Sequence, residues 1–214
     1  MSKGSEEIYW KKVDEEASKR SSDIFKAMQI FETMEDFIVL DLETTGFCAN
    51  RGDRIIEVAF RKYKIDQGDM LAGEAFNKYV NPGRPIPRRI TNLTRISDID
   101  VRDKPYIDEL LPEIAGFISE YKVVGHNVSF DFRFLNAEMT RAGFDLVNPE
   151  KIIDTLKISR TMYGRNVKHR LSDCARREKV DEFDAAVYHS ALHDVQVTAA
   201  LFFSMVKKIV NAKD

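Results

Sequence analysis

The chain has 214 residues, enough for one well-filled hydrophobic core, and its 43% apolar and 32% charged residues are ordinary for a soluble globular domain. Its 33 basic and 35 acidic residues give a net charge of −2, so bulk charge cannot hold a nucleic acid and any such partner needs a local basic surface. Two distant cysteines exclude a disulfide framework and a zinc site, and the lack of a long apolar run favours a cytoplasmic protein without a membrane partner.

The first 36 residues alternate charges with sparse apolar positions, and this pattern predicts two amphipathic helices. Such apolar faces must pack on the body of the domain, on a second copy or on another protein, and the sequence leaves these three open. We predict residues 1–36 as an N-terminal helical extension and residues 37–210 as the main domain. The two apolar faces, with a cap at Ser21-Ser22-Asp23 for the second, comprise Trp10, Val13 and Ala17, then Ile24, Met28 and Phe31.

An apolar run from Phe37 to Leu40 leads into two acids and a Thr-Thr-Gly stop, which predicts a buried strand with acid at its C-terminal end. Alternate residues of a strand leave the same face, so Asp41 and Glu43 project side by side, about 6.5–7 Å apart along the chain. Two carboxylates this close repel unless a cation or a shared proton lies between them. For this pair alone, two separately hydrated acids at a strand end are the alternative.

The remaining elements follow in chain order. Residues 53–65 and a segment through 76–80 predict two more strands joined by a turn at 66–69, and residues 84–105 predict a loop with one short helical turn. Helices are predicted at 107–121 and 130–141, the latter closed by Gly143, with short strands at 123–125 and 151–154. Three further helices are predicted at about 155–162, 170–178 and 190–208. This order predicts an α/β domain whose mixed five-stranded sheet is flanked by helices.

Two further acids have unusual settings. Asp131 ends the run Gly125-His126-Asn127-Val128-Ser129-Phe130-Asp131, near the start of a helix whose dipole favours an anion. Asp194 lies in the first turns of the last helix, after His189 and His193. On a continuous helix His189 and Asp194 are about 140° apart, so both address one point only if His189 precedes the helix on a loop.

Together, D-x-E-T-T-G on a strand, H-N-x-x-F-D at a strand-to-helix junction and H-x4-D at the final helix resemble the three motifs of the DnaQ-like, or DEDDh, family of 3′→5′ exonucleases. The resemblance covers residues 37 to about 206 and includes lesser features at 54–58, 153–156 and 169–171. It implies a ribonuclease H-like fold with the mixed sheet at its centre.

The resemblance makes Asp41, Glu43, Asp131 and Asp194 the metal ligands, and His189 the base that takes a proton from the attacking water. Carboxylate oxygens suit Mg²⁺ or Mn²⁺, and two such ions about 3.5–4 Å apart activate a water and stabilise the leaving 3′-oxygen. A histidine, with an ordinary pKa of about 6.5, suits the task of His189. The implied product is a nucleoside 5′-monophosphate, released one at a time from a 3′ end.

The other histidines have alternative roles. His193 beside Asp194 forms an H-D dipeptide that also occurs in metal-dependent phosphohydrolases, but those need further histidines, and this chain has four in all. We expect His126 to be a structural histidine beside the site rather than a ligand. We expect His169, which lies within a basic run, to be at the surface.

Expected substrate contacts lie in turns, aromatic positions and basic runs. In the family, the turn Thr44-Thr45-Gly46 meets the terminal nucleotide, with a plain strand-ending turn as the alternative. Further candidates are Thr94, Arg95 and Asn127, and for base stacking Phe47, Phe130 and Phe134, of which the last two have a core role as the alternative. The basic runs, expected to give this acidic protein its phosphate-binding surface, are Arg84, Arg88, Arg89 and Arg95, then Lys157, Arg160, Arg165, Lys168, Arg170, Arg176, Arg177 and Lys179.

One position departs from the family pattern. The family loop that is similar to residues 90–97 usually has glycine where Arg95 stands, beside the bound 3′ nucleotide. If that glycine serves a positive φ or a close backbone approach, we expect Arg95 to alter the loop or to reach a phosphate instead.

The sequence therefore predicts a metal-dependent 3′→5′ exonuclease that acts on single-stranded or frayed DNA 3′ ends, for repair or proofreading. One alternative is an exoribonuclease that trims RNA 3′ ends, since the few contacts that recognise a 2′-hydroxyl cannot be placed from sequence. The other is a nuclease-fold clamp within a polymerase or helicase complex. Residues 1–36 are the expected docking segment for such a partner or for a homodimer.

Overall fold

A computed structural model of the protein describes residues 22–144, 148–180 and 190–212. The strands are β1 Phe37–Thr44, β2 Ile55–Asp66, β3 Asp69–Tyr79, β4 Lys122–Gly125 and β5 Ile152–Asp154. The α-helices are α1 Ser22–Thr33, α2 Arg88–Thr94, α3 Asp98–Val101, α4 Ile107–Glu120, α5 Ser129–Ala142, α6 Thr155–Tyr163, α7 Leu171–Glu178 and α8 Ala191–Asn211. Short 3₁₀ turns lie at Ala49–Arg51 and Pro149–Lys151.

The strands form one sheet in the order β3-β2-β1-β4-β5. β2 is antiparallel to both β1 and β3, whereas β4 is parallel to both β1 and β5. The predicted mixed five-stranded sheet is thereby confirmed. Because β1, β4 and β5 run in the same direction, their C-terminal ends lie at one edge of the sheet. The end of β1 carries Asp41 and Glu43, and the segment after β4 carries Asn127 and Asp131.

Side chains of β1 alternate between two hydrophobic cores. Phe37 and Val39 belong to the core that includes α1 and α8, whereas Ile38 and Leu40 belong to the core that includes α4 and α5. Because the alternation continues to the end of the strand, Asp41 and Glu43 leave the sheet on the α8 side. The fold therefore directs both acids towards the helix that carries the third motif.

Helix α1 packs on the body of the domain. Ile24 and Ile30 are buried in the α8-side core, and the rings of Phe31 and Phe203 stack with centroids 5.5 Å apart. The sequence left three possible packing partners for the second predicted helix, and the structure shows that it packs on the body of the domain. The helix predicted around Trp10 lies outside the described residues, and the boundary at residue 36 stays a prediction.

Two segments differ from the predicted elements. β3 begins at Asp69, directly after the turn, because Asp66 and Asp69 already pair across the hairpin. Residues 84–105 contain two short helices, α2 and α3, where one helical turn was expected. The second arises from a capping box in which Asp100 accepts hydrogen bonds from the backbone and hydroxyl of Ser97.

Within the described residues, we find no helix with the length and apolar character needed to span a bilayer. Cys48 and Cys174 are free thiols. Burial raises the pKa of the Cys174 thiol.

Candidate active site

Three acids converge where β1 ends against the start of α8. Asp41 and Glu43 come from the strand and Asp194 from the first turn of the helix, and one oxygen of each lies within 4.8 Å of the other two. Asp194 is 9% exposed, and Asp41 and Glu43 are half-buried. Three carboxylate oxygens at this separation fit a hard divalent cation between them.

Asp131, the fourth predicted ligand, lies beside this group. It is buried in the first turn of α5, and its Oδ1 accepts a hydrogen bond from the Leu42 backbone N–H at 3.2 Å. Leu42 separates Asp41 from Glu43, so this bond joins the second motif to the first. The structure thus groups three predicted ligands and places the fourth against the strand that carries two of them.

The carboxylates are held in an environment that disfavours their negative charge. Removal from water raises the pKa of Asp41 well above its usual range, and the neighbouring charges of Asp131 and Asp194 add to this. Burial, followed by the charges of Asp194 and Glu57, raises the pKa of Glu43 to about 9. Burial also raises the pKa of Asp131 to about 8. A bound cation would offset this repulsion, so the donor set fits a divalent metal.

These shifts predict how stability depends on pH without metal. Between about pH 7 and 9 the folded state holds protons on Glu43 and Asp131 that the unfolded chain has released, so the free energy of unfolding falls as pH rises. His126, whose pKa is lowered to about 4, has the opposite effect, but it acts only below about pH 6.5. We expect the Tm in EDTA to fall across pH 7–9, as measured by scanning calorimetry.

Added Mg²⁺ or Mn²⁺ should raise the Tm more at pH 9 than at pH 7, because metal binds the deprotonated carboxylates. Glu43→Gln, which removes one titrating group, should flatten the metal-free pH profile. A metal-free Tm that rises with pH over this interval would contradict the argument.

The predicted base, His189, lies outside the described residues, and its role stays a prediction. Each ring nitrogen of His126 has a protein partner: Nδ1 lies 2.9 Å from Thr155 Oγ1 and Nε2 lies 2.8 Å from the His169 carbonyl oxygen. This agrees with a structural histidine beside the site. His169 is partly exposed, in agreement with the expected surface position, and its Nδ1 lies 2.9 Å from Ser159 Oγ. The loop before α7 folds back onto α6, and this brings His169 against Ser159.

The turn after β1 is held by its own hydrogen bonds. The Thr44 hydroxyl donates to the Gly46 carbonyl at 2.6 Å, and the Thr45 hydroxyl accepts from the Arg54 N–H at 3.0 Å. At Gly46 an added Cβ would lie 2.3 Å from the Asp53 carboxylate, so any other residue there would have to displace that side chain. These contacts describe a rigid strand-ending turn, and contact of Thr44, Thr45 and Gly46 with substrate stays a prediction.

Arg95 itself adopts the left-handed conformation that the family glycine suggested. Its φ is 65°, and its N–H closes α2 by bonding the Thr91 carbonyl. The loop therefore accommodates arginine without losing the positive φ. Thr94 is buried, its hydroxyl donating to Ile90 and accepting from the Ile96 N–H, whereas Arg95 is exposed. Arg95 is the better placed of the two for a phosphate.

Arg95→Gly is expected to stabilise the protein by about 1 kcal/mol, because glycine adopts a positive φ without a Cβ penalty. If Arg95 also reaches a phosphate, the same variant should raise the KM for oligonucleotides. Gln67→Gly is the matched control, since Gln67 has φ 50° in the hairpin turn at the opposite end of β1. It should stabilise the fold similarly and leave the KM unchanged, as measured by thermal melts and steady-state kinetics.

The three aromatic candidates differ in exposure. Phe47 is 66% exposed, whereas Phe134 is 1% exposed and belongs to the α4–α5 core. Phe130 lies between them, with ring centroids 6.4 Å from Phe47 and 5.0 Å from Phe134. Base stacking by Phe134 is therefore excluded by burial, and the core alternative is confirmed for that residue.

Two buried acids near the site were given no role by the sequence. Glu57 pairs directly across from Glu43, is 2% exposed, and accepts a hydrogen bond from the Ala191 N–H at 3.2 Å. Asp154 Oδ1 accepts from the N–H groups of Asn127 and Leu156, and its own N–H donates to Asp23. Glu57 interrupts an apolar run and Asp154 ends one, and this pattern is the sequence feature that could have identified them.

A buried ion cluster holds the turn after β1 against α5. Glu138 is 2% exposed, and it accepts two hydrogen bonds from Arg54, at 2.7 and 3.1 Å, and an ion pair from Arg141 at 2.9 Å. Arg54 also bonds Thr45 through its backbone, and Arg141 donates to the Ala49 carbonyl at 3.2 Å. Both ends of the turn are thereby fixed to one helix.

Similarity to known proteins extends over most of the chain. A family model described as Exonuclease (RNase_T) matches residues 38–202. DNA polymerase III PolC-type of Staphylococcus haemolyticus (strain JCSC1435) is 34% identical over 183 residues, which is 83% of this chain and 12% of the relative. The protein of the same name from Staphylococcus aureus is 34% identical over 173 residues, 81% of this chain and 11% of the relative. The chain thus spans about an eighth or less of these relatives.

Solved structures share the fold. Exonuclease X in complex with 5′ overhanging duplex DNA has a TM-score of 0.59 and 24% identity, covering 79% of this chain and 90% of its own. A 3′-exonuclease bound to the histone mRNA stem-loop has a TM-score of 0.68 and 16% identity, and the match covers 81% of this chain and 64% of that one. E. coli Exonuclease I in complex with a dA16 oligonucleotide has a TM-score of 0.62 and 20% identity, and the match covers 78% of this chain and 39% of that one.

Proposed function

The chain belongs to the RNase_T exonuclease family, the DnaQ-like group that its motifs resemble, and on that premise we propose that it is a metal-dependent 3′→5′ exonuclease of DNA. The observation that carries the proposal is the convergence of Asp41, Glu43 and Asp194 within 4.8 Å at the sheet edge. The implied product is a nucleoside 5′-monophosphate. A proofreading or repair role is supported by the named relatives, which are DNA polymerases.

The residues assign a division of labour. Asp41, Glu43 and Asp194, with Asp131 beside them, would hold two Mg²⁺ or Mn²⁺ ions, which supply activation of water and stabilisation of the leaving oxygen. His189 would take the proton of the attacking water. Asp131 holds the Leu42 N–H, so it also fixes the spacing of the two β1 acids. Thr44, Thr45, Gly46, Thr94, Arg95 and Asn127 are proposed to contact the terminal nucleotides.

The test uses matched single-stranded DNA and RNA oligonucleotides labelled at one end, incubated with Mg²⁺ or Mn²⁺. A 5′-labelled DNA strand should shorten in a ladder, and a 3′-labelled strand should release its label as a mononucleotide at once. Faster turnover of the RNA strand would replace DNA with RNA as the substrate. Shortening from the 5′ end, or internal cleavage, would contradict the proposal, and no turnover of either polymer would favour the clamp.

Association with a polymerase or helicase is a further proposal, supported by the polymerase names of the relatives. Since α1 packs on the body, a docking partner would meet residues 1–21 or the outer side of α1, where Phe25 is 64% exposed. Pull-downs should compare the full chain with a chain that begins at residue 22 and with Phe25→Ser. Retention of the same partners by both variants would count against docking through residues 1–36.

A further inference from the structure

A basic cavity of about 800 Å³ lies at the edge of the sheet that carries the acidic group, formed by the loop after β4, by helix α6 and by the loop between α6 and α7. It contains no acidic side chain in its lining. Besides Leu156 and Val167, the cavity is lined by His126, Asn127, Arg160, Arg165, His169 and Arg170.

The three arginines of the cavity have no counter-charge in the described part of the chain. Arg160, Arg165 and Arg170 are exposed, and none of them makes an ion pair or donates a side-chain hydrogen bond to a described residue. Other arginines do find partners: Arg176 pairs with Asp173 and Arg177 donates to the Lys168 carbonyl. In a chain of net charge −2, three uncompensated guanidinium groups around one concave surface form a site for an anion.

Hydrogen bonds hold the floor of the cavity. His126 bonds Thr155 through one ring nitrogen and the His169 carbonyl through the other, while His169 lies against Ser159 and the Gly164 carbonyl. Burial, together with the charges of His169 and Arg160, lowers the pKa of His126 to about 4. The hydrogen-bonded histidines hold the loop that carries Arg165 and Arg170.

The cavity lies in line with the acidic group along the sheet edge. Gly125 and Asp154 pair across β4 and β5, and β4 is the neighbour of β1, so the cavity is displaced sideways from β1 by one to two strand spacings of about 5 Å each. Asn127 lines the cavity and is joined to Asp154 by its N–H at 2.9 Å, whereas Asp131 on the same segment lies against Leu42. One short segment thus connects the two sites.

We propose that this arginine-lined cavity binds an internal phosphodiester of the single strand whose 3′ end occupies the acidic group. The inference rests on the proposed exonuclease function and adds the path of the strand away from the cleavage point. One guanidinium group can donate two parallel hydrogen bonds to two phosphate oxygens, and it makes no contact with the base. The contact is therefore independent of nucleotide sequence. The rival occupant with the same chemistry is a free nucleotide phosphate.

The test compares two substrates: a short oligothymidylate, and the p-nitrophenyl ester of thymidine 5′-monophosphate, whose single phosphate is the one that is cleaved, so that it has no internal phosphodiester for the cavity to bind. Arg160→Ala and Arg165→Ala should each lower the ratio of kcat/KM for the oligonucleotide to that for the ester by roughly fivefold to tenfold. Arg102→Ala, an exposed arginine at the end of α3, is the charge-matched control and should leave the ratio unchanged.

A single neutral methylphosphonate linkage, moved stepwise from the 3′ end, locates the contact. In the wild type, one position of the neutral linkage should lower kcat/KM for the oligonucleotide by the same fivefold to tenfold. In Arg165→Ala, the linkage at that position should have no further effect. The proposal would be overturned if the cavity variants lowered kcat/KM equally for both substrates, or did not lower it at all. It would also be overturned if Arg102→Ala lowered the ratio as much as they do. So would competition by thymidine 5′-monophosphate that Arg165→Ala relieves, since it would assign the cavity to a free nucleotide.

Binding without turnover separates this proposal from the proposed function. Fluorescence anisotropy of the oligonucleotide in EDTA should show weaker binding by the cavity variants and a salt slope smaller by about 0.7 per arginine removed. If the wild type hydrolyses neither substrate, the exonuclease proposal fails while this measurement still decides the cavity. Unchanged affinity and slope in both cavity variants would reject the cavity on its own.

Discussion

Asp41→Asn is expected to lower the rate of DNA hydrolysis by about 10³-fold or more, because the several kcal/mol of transition-state stabilisation that metals supply depends on their ligands. Asp41 is one of three acids within 4.8 Å, and asparagine keeps its shape while removing its charge. The measurement is single-turnover cleavage of a labelled oligonucleotide at saturating Mn²⁺. Glu74→Gln, an exposed acid on β3, is the matched control and should retain full activity.

The same variant should stabilise the metal-free protein. The pKa of Asp41 is raised by burial and by Asp131 and Asp194, so its charge is unfavourable in the folded state at neutral pH. Each kcal/mol recovered corresponds to about 2–4 °C in Tm for a domain of this size. Activity within tenfold of wild type would show that Asp41 is not a ligand, and a lower Tm in EDTA would show that repulsion does not dominate the site.

Glu138→Ala is expected to lower the free energy of unfolding by about 2–3 kcal/mol, because it leaves two guanidinium groups without their shared buried carboxylate. The side chains of Arg54 and Arg141 are 30% and 42% exposed, so water relieves part of the penalty. Urea denaturation measures the loss. The kcat/KM should also fall, since Arg54 holds the Thr45 backbone and hydroxyl.

Two variants define the Glu138 experiment. Glu113→Ala removes an exposed acid from α4 and should change stability by less than about 0.5 kcal/mol. Glu138→Gln keeps the shape and one acceptor, so it should fall between the alanine variant and the wild type. If Glu138→Ala and Glu113→Ala are equally stable, the ion cluster does not hold the turn.

Two kinds of signal predicted the core of the site. The alternation of a strand placed Asp41 beside Glu43, whereas the family resemblance implied that Asp194, at the start of the last helix, joins them, and the structure groups all three. The mixed five-stranded sheet was predicted from three meandering strands followed by alternating helices and strands, whereas its strand order comes from the structure. The strand and sheet inferences need only the repeat of one element and the order of several.

Contacts that depend on register or loop path could not be predicted. Glu57 faces Glu43 only because the β1–β2 pairing has one particular register, with an irregularity after Glu43. The Asp131 bond to Leu42 joins residues 89 positions apart. The contacts of His169 with Ser159 and the Gly164 carbonyl depend on the path of the loop that carries it. The pattern of charges in the sequence does not predict that path.

The packing of α1 sets the smallest unit that can fold independently. The family model begins at residue 38, but Ile24, Ala27 and Ile30 from before that point are buried in the core of β1 and α8. A fragment cut at the motif boundary would expose this apolar face and release the Asp154 N–H from Asp23. Limited proteolysis should therefore leave a resistant piece that retains α1, and fragments that lack α1 should aggregate.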